Sequence, residues 1–219
     1  AWIKFYSFPV FTWHQRMTVE VAVDGETVSG ASIVGMKVEF YPKWFPIPSS
    51  SYRNLRLTGE AVVVDLGARG YLFALLRSEG SVDHPKELTM RLYPDIFKDE
   101  RGRYLPQSDP FDSPYLTLKQ QRDTREIPRD DYPMLVTFTD INDPKTVQLV
   151  DPDDLAATFG PGVSLKRITL AITDAPLTET IESVLGWLGD HPEPPLGDSR
   201  ELFYPRDVGT VNHGHFIRR

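Results

Sequence analysis

Along residues 17–23 apolar side chains alternate with polar or small ones, which places Met17, Val19, Val21 and Val23 on one face of an extended chain. Asp24-Gly25 comes next, a dipeptide suited to the type I′ turn because both central residues take positive φ. The chain returns through residues 27–31 and alternates again, with Val34, Met36, Val38 and Phe40 opposed to Gly35, Lys37 and Glu39. This pattern predicts a β-hairpin. A second hairpin is expected from residues 59–66, through Gly67-Ala68-Arg69-Gly70, to residues 71–76. Its runs are almost continuously apolar, as in strands covered on both faces. The β-branched Val62, Val63 and Val64 favour strand over buried helix.

Between the two hairpins Pro42, Pro46 and Pro48 interrupt the pattern. Proline cannot donate to a ladder, so a loop is expected from residue 41 to about residue 54. Residues 88–92 alternate and read as a further strand. Residues 93–133 hold six prolines and little periodicity, which reads either as a long irregular functional excursion or as an inserted subregion with short strands of its own, residues 115–118 being the candidate strand. Strands are expected again at residues 134–139 and 146–150, joined by a turn. Another strand, residues 166–173, should bury Ile168, Leu170 and Ile172. Two short helices are predicted in this half. One is capped by Asp151 with Pro152 in its first turn and stops at Gly160-Pro161. The other covers residues 177–188, where Leu177, Ile181, Val184, Leu185 and Leu188 make one stripe. The expected fold is mainly β, sandwich-like or α+β, built from antiparallel hairpins with two short helices in the C-terminal half. The expected organisation is an arm at residues 1–13, one β-rich domain at residues 14–190 and an irregular tail at residues 191–219.

Composition narrows the chemistry. The 219 residues are 40% hydrophobic and 25% charged, within the globular range, and carry a net charge of −7. That balance argues against nucleic acid as a partner. With no cysteine in the chain, disulfides, thiolate catalysis and zinc–thiolate sites are excluded. None of the three asparagines begins a glycosylation sequon. The first thirteen residues hold Trp2, Phe5, Tyr6, Phe8, Phe11 and Trp13, and Lys4 and Arg16 are the only charges before Glu20. Aromatic rings concentrate where a chain leaves a bilayer, so a membrane anchor ahead of Ala1 is one expectation. A first strand or arm packed on the core is the other.

Candidate chemistry is sparse. His213-Gly214-His215 would place two imidazoles on one face of a strand, where they could share a metal with a third ligand from elsewhere; an exposed tail is the plainer reading. The acid-rich stretches Asp140-Ile141-Asn142-Asp143 and Asp151-Pro152-Asp153-Asp154 lack calcium-loop spacing and read as turn and cap residues. The mixed charges from Arg122 to Asp131 read as a solvated surface. No nucleophile elbow, phosphate loop or dinucleotide fingerprint occurs, and no cofactor is called for. The loop bearing Trp44, Phe45 and Tyr52 is the best candidate contact surface.

The stretches Arg16-Met-Thr-Val-Glu-Val, Ser29-Gly-Ala-Ser-Ile-Val, Gly59-Glu-Ala-Val-Val-Val-Asp-Leu-Gly and Tyr71-Leu-Phe-Ala-Leu-Leu resemble segments of an uncharacterised alphaproteobacterial envelope protein family. So do residues 150–163 and Lys166-Arg-Ile-Thr-Leu. The resemblance spans roughly residues 12–190. It implies a single N-terminal membrane anchor ahead of a soluble domain, with no assigned activity to carry over. The expected function is a non-enzymatic, membrane-tethered periplasmic domain that contacts another envelope protein. The alternatives are a metal-dependent hydrolase using His213 and His215, or a small-ligand or glycan binder stacking on Trp44, Phe45 and Tyr52.

Overall fold

The computed structural model describes residues 9–41, 53–78, 84–109, 111–190 and 211–219. Strands β1 (Val10–Val23) and β2 (Glu26–Phe40) form the predicted hairpin, paired in register from Val10 opposite Glu39 to Val23 opposite Glu26. Asp24 and Gly25 both take positive φ at its tip, as a two-residue I′ turn requires. The pairing begins earlier than expected. Phe11 and Trp13, assigned to the arm, are buried on the inner face of β1. Along that face Val19, Val21, Met36 and Val38 are also buried, which bears out the alternation.

Strand β3 (Arg53–Glu60) lies beside β2. Leu55 and Leu57 alternate with Arg56 there, so the expected loop ends at residue 52 rather than 54. At Ala61 the chain crosses to a second sheet. Strands β4 (Val62–Asp65) and β5 (Tyr71–Ala74) form the second predicted hairpin. β6 (Thr124–Glu126), β7 (Leu135–Phe138), β8 (Val147–Leu149), β9 (Val163–Thr173) and β10 (Ile217–Arg218) are the other strands among the described residues. All pairings between strands are antiparallel, in a six-stranded sheet ordered β10-β3-β2-β1-β9-β6 and a four-stranded one ordered β4-β5-β7-β8. The protein is therefore mainly β, as expected.

The sheets meet closely. A Cβ on Gly30 of β2 would lie 1.9 Å from the Val63 carbonyl oxygen of β4, so only glycine permits that approach. The smaller sheet is covered on both faces, as its apolar runs indicated. Val62, Val64, Leu72 and Leu135 face the larger sheet, while Phe73, Val136 and Phe138 join a second cluster with Ile181, Leu185, Leu188 and Phe216.

Several expectations are corrected. The strand expected at residues 88–92 is part of helix α1 (His84–Leu92). Five alternating residues do not separate the two periods, and Pro85 with Glu87 in the first turn and Arg91 in the last are helix-end signals. The excursion contains α2 (Pro94–Phe97) and α3 (Pro114–Leu118), so the strand expected at residues 115–118 is helical. Ser113 caps α3 through its hydroxyl, and Pro114 sits in the first turn. Helix α4 (Leu155–Phe159) starts one turn later than expected, because Asp154 rather than Asp151 caps it by accepting from the Ala157 N–H. The predicted helix at residues 177–188 shrinks to α5 (Ile181–Val184), although Ile181, Leu185 and Leu188 are fully buried.

Candidate functional site

The C-terminal histidines sit in a single 3-10 turn, His213–His215, not on a strand, so they do not share the face that strand spacing would give. His213 Nε2 is 2.8 Å from the Leu188 carbonyl oxygen. A carbonyl only accepts, so Nε2 carries the proton. His215 Nδ1 accepts from the Asn212 N–H at 3.1 Å, one half of a capping box. Burial, then the neighbouring Arg77 and Arg218, pushes the His215 pKa down to about 3. Among the described residues no three His, Asp or Glu side chains gather to hold a metal.

This segment is also not an exposed tail. Val211, His215 and Phe216 are buried. The Leu76 and Ala61 N–H groups donate to the His215 and Phe216 carbonyls at 2.8 and 2.7 Å, and β10 pairs with Gly59 and Glu60. The turn thus bridges both sheets. Val211, Phe216 and Ile217 were the signal for this packing, spread too thinly in sequence to form a period.

Trp44, Phe45 and Tyr52 lie outside the described residues. The connection that carries them leaves after Tyr41 and returns at Arg53, which pairs with Phe40. The Phe40 N–H donates to the Pro9 carbonyl at 3.0 Å, so the N-terminal arm departs from the same end of the larger sheet. Aromatic rings close that end from inside. Tyr115 of α3 lies against Phe11, Trp13, Phe40 and Phe97 with centroids 5.1 to 6.2 Å away. Around it the excursion leaves apolar side chains in solvent: Phe111 is 70% exposed and Tyr104 54%.

A polar cleft of about 720 Å³ lies between α1, the 3-10 turn Arg129–Asp131 and the end of β8. Arg91 pairs with Asp131 at 3.1 Å, and Arg129 forms a two-pronged pair with Asp153 at 2.9 and 2.7 Å. Asp153 raises the Arg129 pKa, and Arg129 holds the Asp153 carboxyl below its usual value. Tyr132 lies beneath the Arg129 guanidinium at 5.5 Å. Leu149, 43% exposed, supplies an apolar spot at the lining. His84 forms part of the wall, only 2% exposed, with Nε2 donating to the Asp131 carbonyl at 2.8 Å. Its Nδ1 is buried without a partner, and burial, followed by repulsion from Arg91, lowers its pKa. On the far side of α1 a groove of about 450 Å³ is lined by Arg53, Met90, Tyr104 and Gln107 and shares Glu87 and Arg91 with the cleft.

Reasoning from sequence missed the cleft because its parts are far apart along the chain and α1 read as a strand. The charges around residues 122–131 turn out to be divided in purpose. Arg125 clamps the Leu92 carbonyl and Asp95 and lies 3.9 Å over the Tyr93 ring, whereas Arg129 lines the cleft. The acids at Asp140, Asp143, Asp151 and Asp154 bind nearby backbone N–H groups, as turn and cap residues should. No family model, curated protein or solved structure matches the chain.

Proposed function

We propose that this is a periplasmic interaction domain, tethered to the membrane at its N-terminal end, that binds another envelope protein in the cleft beside α1. The observation that carries the reading is the make-up of that cleft. Two arginines, a half-buried tyrosine and an exposed leucine line an open cavity of about 720 Å³. Arginine and tyrosine are enriched where proteins meet, and both arginines are already held in place by carboxylates. Their guanidiniums are oriented before a partner arrives, which lowers the ordering cost of association. Binding rather than catalysis is favoured because the cleft's histidine is committed to the Asp131 carbonyl, with its other nitrogen shielded.

The test is site-specific photo-crosslinking in intact bacterial cells that express the full chain. A photoreactive residue at Asp130 or Leu149 should give one adduct of the same size, and Arg129→Glu should abolish it. The same probe at Glu26, on the hairpin tip, should give none. No adduct from either cleft position, or an equal yield from Glu26, would overturn the reading.

A further inference from the structure

Among the described residues β4, β6, β8 and β10 stand at the edges of the two sheets. An edge strand exposes unpaired backbone groups, and charged side chains commonly guard it against a further strand. β4 contains Asp65, β6 contains Arg125 and Glu126, and β10 contains Arg218, whereas Val147-Gln148-Leu149 of β8 holds no charge. The ladder to β7 fixes where the backbone of β8 points. The Val150 N–H donates to the Leu135 carbonyl at 2.9 Å, and the Thr139 N–H donates to the Thr146 carbonyl at 3.2 Å. In an antiparallel ladder those bonds flank the non-bonded pairs Val136–Leu149 and Phe138–Val147. Gln148 therefore turns its N–H and carbonyl toward Thr137, while Val147 and Leu149 turn theirs away from the sheet. No described residue pairs with these outward groups. Gln148 and Leu149 are exposed, and Leu149 also lines the cleft, so the open edge is continuous with it.

An open edge accepts an extended segment, whose main chain supplies the bonds and whose side chains supply selectivity. Charge selects the segment. Residues 139–154 carry Asp140, Asp143, Asp151, Asp153 and Asp154 against Lys145 alone. The cleft lining adds Glu87, Asp130 and Asp131 against Arg91 and Arg129. Both arginines are matched by a carboxylate, so they serve a partner through fixed guanidinium planes rather than through net charge. A second copy of β8 would bring like charges together, which disfavours self-pairing. We propose that the edge of β8 takes an extended basic segment of the partner protein as a fifth strand of the smaller sheet. An apolar side chain of that segment lies beside Leu149, and lysine or arginine on either side meets the acids. Pro144 and Pro152 bound the stretch that can pair. The proposal rests on the partner-binding cleft proposed above and names the form and charge of what enters it.

Amide hydrogen exchange read by NMR tests it on the chain as it stands, with a synthetic nine-residue peptide alternating lysine and valine as the probe. Without peptide, Gln148 should be protected by its bonds to β7, and Val147 and Leu149 should exchange freely. Millimolar peptide should slow exchange at Val147 and Leu149 at least ten-fold. The same peptide with glutamate in place of lysine should slow it less than two-fold. Asp143→Asn with Asp151→Asn keeps the acceptors of both turns and should weaken lysine-peptide binding at least three-fold. Leu149→Lys should abolish binding without moving the urea midpoint, because Leu149 is 43% exposed. No slowing at Val147 and Leu149, or equal slowing by the glutamate peptide, would overturn the proposal. Protection that grows with protein concentration and needs no peptide would overturn it in favour of a second copy. The crosslink at Asp130 reports a partner in the cleft whatever its form. An adduct there with no protection at β8 would remove the strand addition and leave the cleft reading standing.

Discussion

The two ends of the β1–β2 hairpin are closed by opposite kinds of interaction. At the turn, Asp24 takes two bonds from Arg69, each 2.9 Å, and its N–H donates to the Gly162 carbonyl. Arg69 also donates to the carbonyls of Phe159 and Pro161, so one guanidinium ties the hairpin tip to the turn before β9. At the open end the closure is apolar. Tyr115 fills the space between Phe11, Trp13 and Phe40 and is 1% exposed. A polar closure in solvent is cheap to lose and sensitive to salt, whereas buried aromatic closure is costly to lose and insensitive to it. The molecule therefore has its firm packing at the open end of the hairpin and its yielding closure at the turn.

The largest break in this comparison is Tyr115→Ala. Removing a buried ring with four aromatic neighbours should cost about 3–5 kcal/mol, read as a drop in the urea midpoint. A cost under about 1 kcal/mol would show that the open end is not held by this ring. Gly30→Ala should follow at about 1–3 kcal/mol, because the new methyl meets the Val63 backbone oxygen, which cannot turn aside as a side chain would. That loss should leave the relative behaviour of the two ends unchanged, because Gly30 lies where the two sheets meet.

Acid sharpens the comparison by acting at neither end. His215 is neutral and buried in the C-terminal turn, with its pKa down at about 3 against an ordinary 6.5. Between those values the unfolded chain binds a proton that the folded chain does not. The stability from this group is therefore complete above pH 6.5 and declines as pH falls toward 3, by about 2 kcal/mol at pH 5. His215→Gln should flatten the fall in urea midpoint between pH 6.5 and 4. An unchanged slope would mean that the turn opens to water before His215 titrates.

What the sequence made legible follows from how far each signal repeats. The hairpin, β9 and the doubly covered smaller sheet were readable because alternation or apolar runs persisted over six or more residues, as in Val34 to Phe40. Helix α1 was not, since Leu88, Met90 and Leu92 are buried in a helix as they would be in a strand. Leu185 and Leu188 belonged to the expected stripe and are buried, but backbone angles at Leu185 end the helix there. The cleft had no local signal at all. His84, Arg129 and Leu149 are joined only by the packing of α1 against the turn and β8. The histidine pair was conspicuous in sequence and proved to be part of a structural turn.

The smallest expected effect is at the turn end. Arg69→Ala removes bonds to Asp24, Phe159 and Pro161, but the Asp24 side chain is 65% exposed and water replaces the lost partner at once. The cost should be about 1 kcal/mol. Raising salt to 1 M should shrink the difference between parent and Arg69→Ala, because the Asp24 pair is screened, while the Tyr115→Ala deficit should persist. Carbonyl bonds are screened less than the carboxylate pair, so some of the Arg69 cost should survive. If the two deficits instead respond equally to salt, the contrast between a polar and an aromatic closure is not what distinguishes the ends.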